Sequence, residues 1–342
     1  MSWSRFWWTT TLPIVNIVNS VNSIMSGPAE ENYEHAESLF ADKHYSEALK
    51  YYRKAAYAGH APSQCRLGEL YYRGLGVRNH PIEAIHWFEE SSSQGYDHAT
   101  YLLAHLYEHC FGWDEYGSKA FSLYSRAAEN GHPAACSALG LCYRAALGTE
   151  QDLGKAAEWF LRAAELGDPD GQFRLACCYR DGQVLERDPE SAFRWFTTAA
   201  ENGHVDSMAC LATCYMTGSG TEKDPSSAEH WFSKAGDLGN MDAMACLAHI
   251  LEDREPSMAV DCYRKAAEGG SALAQHGLGH CYRFGKGVET SPEKAVEWLR
   301  KAAYGGVRDA MYELSECYAE GFGVQQNPNE AKRWYDMAES SR

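Results

Sequence analysis

Leu278-Gly279-His280-Cys281-Tyr282-Arg283-Phe284-Gly285-Lys286-Gly287-Val288, followed by Ala295, Trp298, Lys301-Ala302-Ala303 and Gly305-Gly306, is one copy of a block that recurs down the chain. A glycine returns every 36 residues, at Gly59, Gly95, Gly131, Gly167, Gly203 and Gly239, then at Gly270 after a 31-residue step, then at Gly306. Ala48, Ala84, Ala120, Ala156, Ala192, Ala228, Ala259, Ala295 and Ala331 keep the same step, and an aromatic follows most of them by three residues. Self-similarity at a fixed period of this size marks stacked repeats that share one continuous core. The functional question therefore becomes which surface acts.

Each unit reads as two helices. In the copy from Ala61 to Tyr96, Leu67, Leu70 and Tyr71 fall at i, i+3 and i+4, an amphipathic first helix. A small residue recurs beside them (Gly68, Ala104, Gly140, Ala176, Ala212, Ala248, Gly279, Ser315), where a neighbouring helix can come close. Gly74-Leu75-Gly76-Val77 ends that helix, because glycine takes the left-handed cap geometry cheaply. The second helix opens on a polar residue and a proline, as at Asp188-Pro189, Asp224-Pro225, Ser291-Pro292 and Asn327-Pro328. Its alanine and the aromatic three residues later share a face, so the Trp298-type column is expected in the core. The short copy loses its residues between Leu251 and Pro256, inside the connecting loop, so both helices keep register.

Composition narrows the partners. Lys+Arg 31 against Asp+Glu 47 gives a formal charge of -16, which argues against nucleic acid and favours solubility or a basic partner segment. Of the 12 cysteines, Cys142, Cys178, Cys214, Cys281 and Cys317 share one column and Cys210 and Cys246 another. Single thiols at helical spacing read as small buried apolar groups, reduced, in a cytoplasmic chain. Residues 1–29 form an N-terminal segment, disordered or weakly signal-like: Phe6–Val18 is apolar but broken by Thr9–Thr11, Pro13 and Asn16, too short and polar to span a membrane. Export through that segment is the alternative localisation.

The pattern small-x-x-x-x-Leu-Gly-x-x-Tyr-x-x-Gly-x-Gly-Val, then Ala-x-x-Trp-Phe-x-Lys-Ala-Ala, resembles the Sel-1-like repeat, a relative of the tetratricopeptide repeat. The resemblance covers residues 30–339, in units near 30–60, 61–96, 97–132, 133–168, 169–204, 205–240, 241–271, 272–307 and 308–339. The first unit lacks the Gly-x-Gly loop, and its Ala36, Phe40, Tyr45, Ala48 and Lys54-Ala55 look more like a tetratricopeptide unit; Phe111-Gly112-Trp113 also departs from the loop pattern. What the resemblance implies is an all-α solenoid of about nine helix-turn-helix pairs, a right-handed superhelix, serving as a non-enzymatic scaffold or adaptor. The alternative is an exported cell-wall or small-ligand binding protein, or weak hydrolase, of the cysteine-rich type; that branch pairs two cysteines per repeat, and this chain does not.

Chemistry outside the repeat is sparse. The glycine loops lack the Gly-Lys-Ser/Thr of a phosphate loop. His105 and His109 with Cys110 have metal-capable spacing but no H-E-x-x-H pattern, so they read as an exposed or capping pair. No catalytic residue, metal or cofactor is expected. The informative positions are those that vary while the scaffold repeats. Six, ten and thirteen residues after each repeat glycine lies a stripe of the first helix, which in tetratricopeptide-like solenoids lines the concave wall. Tyr101, His105, Arg144, Phe173, Arg180, His249, His280, Arg283, Tyr312 and Glu316 on this stripe are the expected partner-binding residues. The partner is expected to be a protein or peptide, basic segments among the candidates.

Overall fold

The computed structural model describes residues 27–341, and the signal-like N-terminal reading lies almost wholly outside them. Eighteen α-helices and no strand occur among the described residues. They form nine consecutive pairs: α1 (Pro28–Ala41) with α2 (Tyr45–Tyr57), α3 (Ala61–Arg73) with α4 (Pro81–Ser93), α5 (Asp97–Leu106) with α6 (Trp113–Glu129), α7 (Pro133–Ala145) with α8 (Leu153–Glu165), α9 (Pro169–Asp181) with α10 (Pro189–Glu201), α11 (Val205–Thr217) with α12 (Pro225–Asp237), α13 (Met241–Leu251) with α14 (Pro256–Glu268), α15 (Ala272–Phe284) with α16 (Pro292–Tyr304), and α17 (Arg308–Glu320) with α18 (Pro328–Ser340). The architecture is an all-α solenoid. Two compact units divide at Gly171/Gln172, inside α9.

Local chemistry sets the helix ends. At the start of first helices, the side chains of His132, His204, Asn240 and Ser271 accept from the backbone N–H three residues on. Each satisfies an orphan donor of the first turn. At the other end Gly74, Gly218, Gly285 and Gly321 stand in the left-handed region, as the loop pattern predicts; Ala146 takes the same geometry at φ 57 without being glycine. Second helices open on Asp152, Asp188, Asp224 and Asn327, whose side chains cap. Ser291 occupies that position without a side-chain cap bond. In the short copy α13 ends at Leu251 and α14 starts at Pro256, so the missing residues come from the loop.

Where the sequence departs at Phe111-Gly112-Trp113, the chain runs from α5 into a π-helical turn, Tyr107–Phe111, and Gly112 (φ 81) turns it into a 17-residue α6. This segment stands in place of the Gly-x-Gly loop of its neighbours.

The core differs in register from the sequence expectation. The ring that fills it stands four residues after the repeat alanine, not three. Tyr52, Phe88, Tyr124, Phe160 and Phe196 are 0, 1, 1, 0 and 0 % exposed. Of the tryptophans, Trp87 and Trp334 are buried, but Trp159, Trp195, Trp231 and Trp298 are half-buried. A cation three residues on covers several of them: Lys301 lies 3.9 Å from the Trp298 ring centre and Lys234 4.6 Å from that of Trp231. On an α-helix four residues bring a side chain back to within about 40° of its starting direction, and three leave it about 60° away, so the later position faces the partner helix more squarely. The small column does what its pattern predicts. A Cβ at Gly140 would lie 2.6 Å from the Phe160 ring, and one at Gly68 2.7 Å from that of Phe88.

Candidate functional site

In each unit the first helices of successive pairs stand side by side and carry the varying stripe. In the first unit Tyr101 stacks on His132 at 5.0 Å between ring centres. His105 stacks on His109 at 4.0 Å, and the His109 Nδ1–H donates to the His105 carbonyl. Burial, with His109 adding to it, lowers the His105 imidazole below its usual value. Arg144 is exposed, its guanidinium 6.0 Å from the Phe160 ring centre.

In the second unit Phe173 stacks on His204 at 4.6 Å, and Arg180 pairs with Asp181 at 2.7 Å. His249 is exposed beside Glu252 at 3.3 Å. Tyr312 donates to Glu339 at 2.6 Å. The structure brings three expected residues together, His280, Arg283 and Glu316, around Glu313 on α17, which the sequence reading did not select. Glu313 Oε1 accepts from His276 Nε2 at 2.9 Å and His280 Nδ1 at 3.2 Å; Arg283 lies 3.5 Å from its other oxygen and 2.9 Å from Glu316.

Burial alone would raise the Glu313 carboxyl, but the hydrogen bonds from His276 and His280 outweigh it and hold the group at about 2. A carboxyl lowered on folding stabilises the fold fully above its unfolded value near 4.5, and that contribution is lost as the pH falls through about 2. Its size is on the order of 3 kcal/mol. In urea titrations from pH 7 to pH 2, the stability advantage of wild type over Glu313→Gln should shrink across that window and vanish at its foot. A constant difference across the window would show that Glu313 is not held ionised by these histidines.

Beside this cluster a groove of about 690 Å³ runs over α11, α13, α15 and α17. Met216, Ile250 and Leu273 line it with the ring of Phe232 beneath, and Glu252, Asp309, Glu313 and Lys286 supply its charges. Burial raises the Glu252 carboxyl, yet the hydrogen bonds from Tyr263 and His249 prevail and keep it below its usual value.

One group in the first unit has the composition of a metal site. Cys65, Glu69 and His98 present donor atoms within 4.8 Å of one another, the one such group among the described residues. Hydrogen bonding assigns it a different role. The Ala135 N–H donates to His132 Nδ1, so the neutral ring carries its proton on Nε2 and donates to His98 Nδ1 at 3.1 Å. His98 then holds its own proton on Nε2, the nitrogen that faces Glu69 at 3.4 Å. Arg66 occupies the other Glu69 oxygen at 2.9 Å. Burial works to raise Glu69, but His98 and Arg66 hold it below its usual value, while burial and the Glu69 charge push the Cys65 thiol up. A protonated ring nitrogen, a neutral thiol and an occupied carboxylate make a relay that positions Glu69, not a donor set poised for a cation.

Glu313, His98 and His132 were missed because they lie one, three and five positions off the stripe. The Gly131-His132 and Gly203-His204 pairs were the available signal, since a histidine that caps a helix also faces the previous first helix.

The family model described as Sel1 repeat matches residues 29–60, 61–96, 97–132, 133–168, 169–204, 205–240, 252–271, 272–307 and 308–340. Among solved structures, the chain is similar to a protective antigen of uropathogenic Escherichia coli strains that displays an SLR fold, at 30% identity and TM-score 0.75, over 86% of this chain and 64% of that one. It therefore spans less than two thirds of that protein's length. It is similar also to a Sel1 repeat protein from Oxalobacter formigenes, at 29% identity and TM-score 0.60, over 86% of both chains. No curated protein matches the sequence.

Proposed function

The chain belongs to the Sel1 repeat family, whose members serve generally as protein-interaction scaffolds, and from that premise we propose that it is a non-enzymatic adaptor that holds a protein or peptide along the wall of its first helices. The observation that carries this is the contrast between two sets of columns. The repeat columns are spent on core: Ala120, Ala156, Phe160, Leu211 and Cys317 are 0 to 2 % exposed. The varying columns instead present half-buried rings and charged groups at the surface, the residue types that anchor partners. The ionised groups of this wall are paired with each other, as at Glu313 and Glu69, which fixes their positions for recognition. The thiols of Cys142, Cys281 and Cys317 are buried singly at 1, 1 and 0 %, and a reducing compartment, the cytoplasm, suits them. No described helix is long and apolar enough to cross a membrane.

Two double variants test the wall, one per unit: Tyr101→Ala with Arg144→Ala, and Phe173→Ala with Arg180→Ala. Proteins captured by the wild-type chain and identified by mass spectrometry should bind at least one variant about tenfold more weakly. Circular dichroism should show unchanged helicity. Equal capture by wild type and both variants would move the partner surface elsewhere.

A further inference from the structure

On the scaffold reading above, we propose that the groove over α11, α13, α15 and α17 seats a bulky apolar side chain of a partner polypeptide and holds a lysine or arginine beside it. Its lining is apolar where solvent should favour polarity. Met216 is 37 % exposed and Leu273 51 %, over a Phe232 ring that is only 4 % exposed. The space of about 690 Å³ takes one large side chain with its flanking backbone.

Charge selects what accompanies that side chain. Three carboxylates, Glu252, Asp309 and Glu313, face the groove against two cations, Lys286 at 3.6 Å from Glu252 and Arg283 at 3.5 Å from Glu313. Tyr263, His249, His276 and His280 offer hydrogen-bonding groups from the surrounding helices. The groove is therefore negative, within a chain of formal charge -16. An acidic segment is repelled, and so is a second copy of this chain; a cation next to the apolar anchor meets complementary potential.

The test uses the full chain and phage-displayed random dodecapeptides, with selected sequences remade as fluorescein-labelled peptides. Selected peptides should share an aliphatic or aromatic residue next to Lys or Arg. Replacing that basic residue by norleucine should weaken binding about tenfold, and the exposed charge reversal Asp309→Lys should weaken the basic peptide similarly while sparing its norleucine form. Met216→Ser with Leu273→Ser should weaken both. Acidic or uncharged selected peptides, or affinities indifferent to Asp309→Lys, overturn the proposal. So does self-association of the chain that the Met216/Leu273 variant abolishes, which would give the groove to a second copy. Peptides lost only on Tyr101/Arg144 variants overturn it and leave the scaffold reading standing. If no peptide is selected the groove assignment falls, and the capture experiment above decides the scaffold reading separately.

Discussion

Truncating Phe160 to alanine is expected to cost about 4 kcal/mol of unfolding free energy, against about 1–2 kcal/mol for the same change at the adjacent Trp159. The larger and more conspicuous ring is the less important one. Phe160 is 0 % exposed and lies across Gly140 on the facing helix, so its removal opens a void between α7 and α8 that neither backbone can close. Trp159 is half-buried, with Arg162 5.1 Å from its ring centre, and its loss is shared with solvent. Because stacked repeats unfold partly independently, the loss should be read locally, as faster amide exchange in α7 and α8, beside the denaturant midpoint. The pair should also be coupled. Gly140→Ala adds a Cβ 2.6 Å from the ring and costs about 1–3 kcal/mol alone, while in a Phe160→Leu background the shorter side chain should recover part of that. Equal costs at 159 and 160, or strict additivity with Gly140→Ala, would return the core to the tryptophan column.

That one-residue difference shows what sequence could carry. Helix positions, caps and the deleted loop were legible because each depends on residues a few places apart: Asp188 with Pro189, Gly218 with its loop, Leu251 with Pro256. The ring register was not, because positions three and four after the alanine both point inward and only the facing helix chooses between them. The wall was legible as a stripe for the same local reason. Its pairings were not. His276 meets Glu313 across 37 residues, and Tyr101 meets His132 across 31, so each contact depends on how one pair is laid on the next. A period fixes the step between repeats but not which side chains from two steps coincide. The acidic, apolar-floored groove depends on three such steps, from α11 to α17.

Gly287→Ala should cost about 3 kcal/mol, whereas Gly270→Ala, at the repeat glycine that first reveals the period, should cost about 1 kcal/mol. Both have positive φ, 68 and 96. At Gly270 an added Cβ meets nothing within 4 Å, so only the conformational penalty applies. At Gly287 it would lie 2.1 Å from the carbonyl oxygen of Pro256, the first residue of α14 in the preceding pair. Backbone stands on both sides of that contact, so no rotamer change relieves it and the loop must lift from its neighbour. Gly220 meets Pro189 and Gly323 meets Pro292 in the same way, each at 2.1 Å. The second glycine of the loop is thus a packed joint between pairs, while the 36-residue glycine turns the chain from one pair into the next with open space around it. The pair α13/α14 has lost its loop and with it this joint; there Arg254 instead reaches Glu229 on α12 through two 2.8 Å contacts. An exposed ion pair contributes at most about 1 kcal/mol, so the chain holds that step mainly by core packing. Lifting the Gly287 loop should leave α13/α14 with a weakened joint on each side. The Gly287→Ala denaturation curve should accordingly be broader than that of wild type, with amide protection in α13 and α14 lost first. A variant that unfolds as sharply as wild type, at a midpoint no lower than that of Gly270→Ala, would show that the loop glycines do not join the pairs.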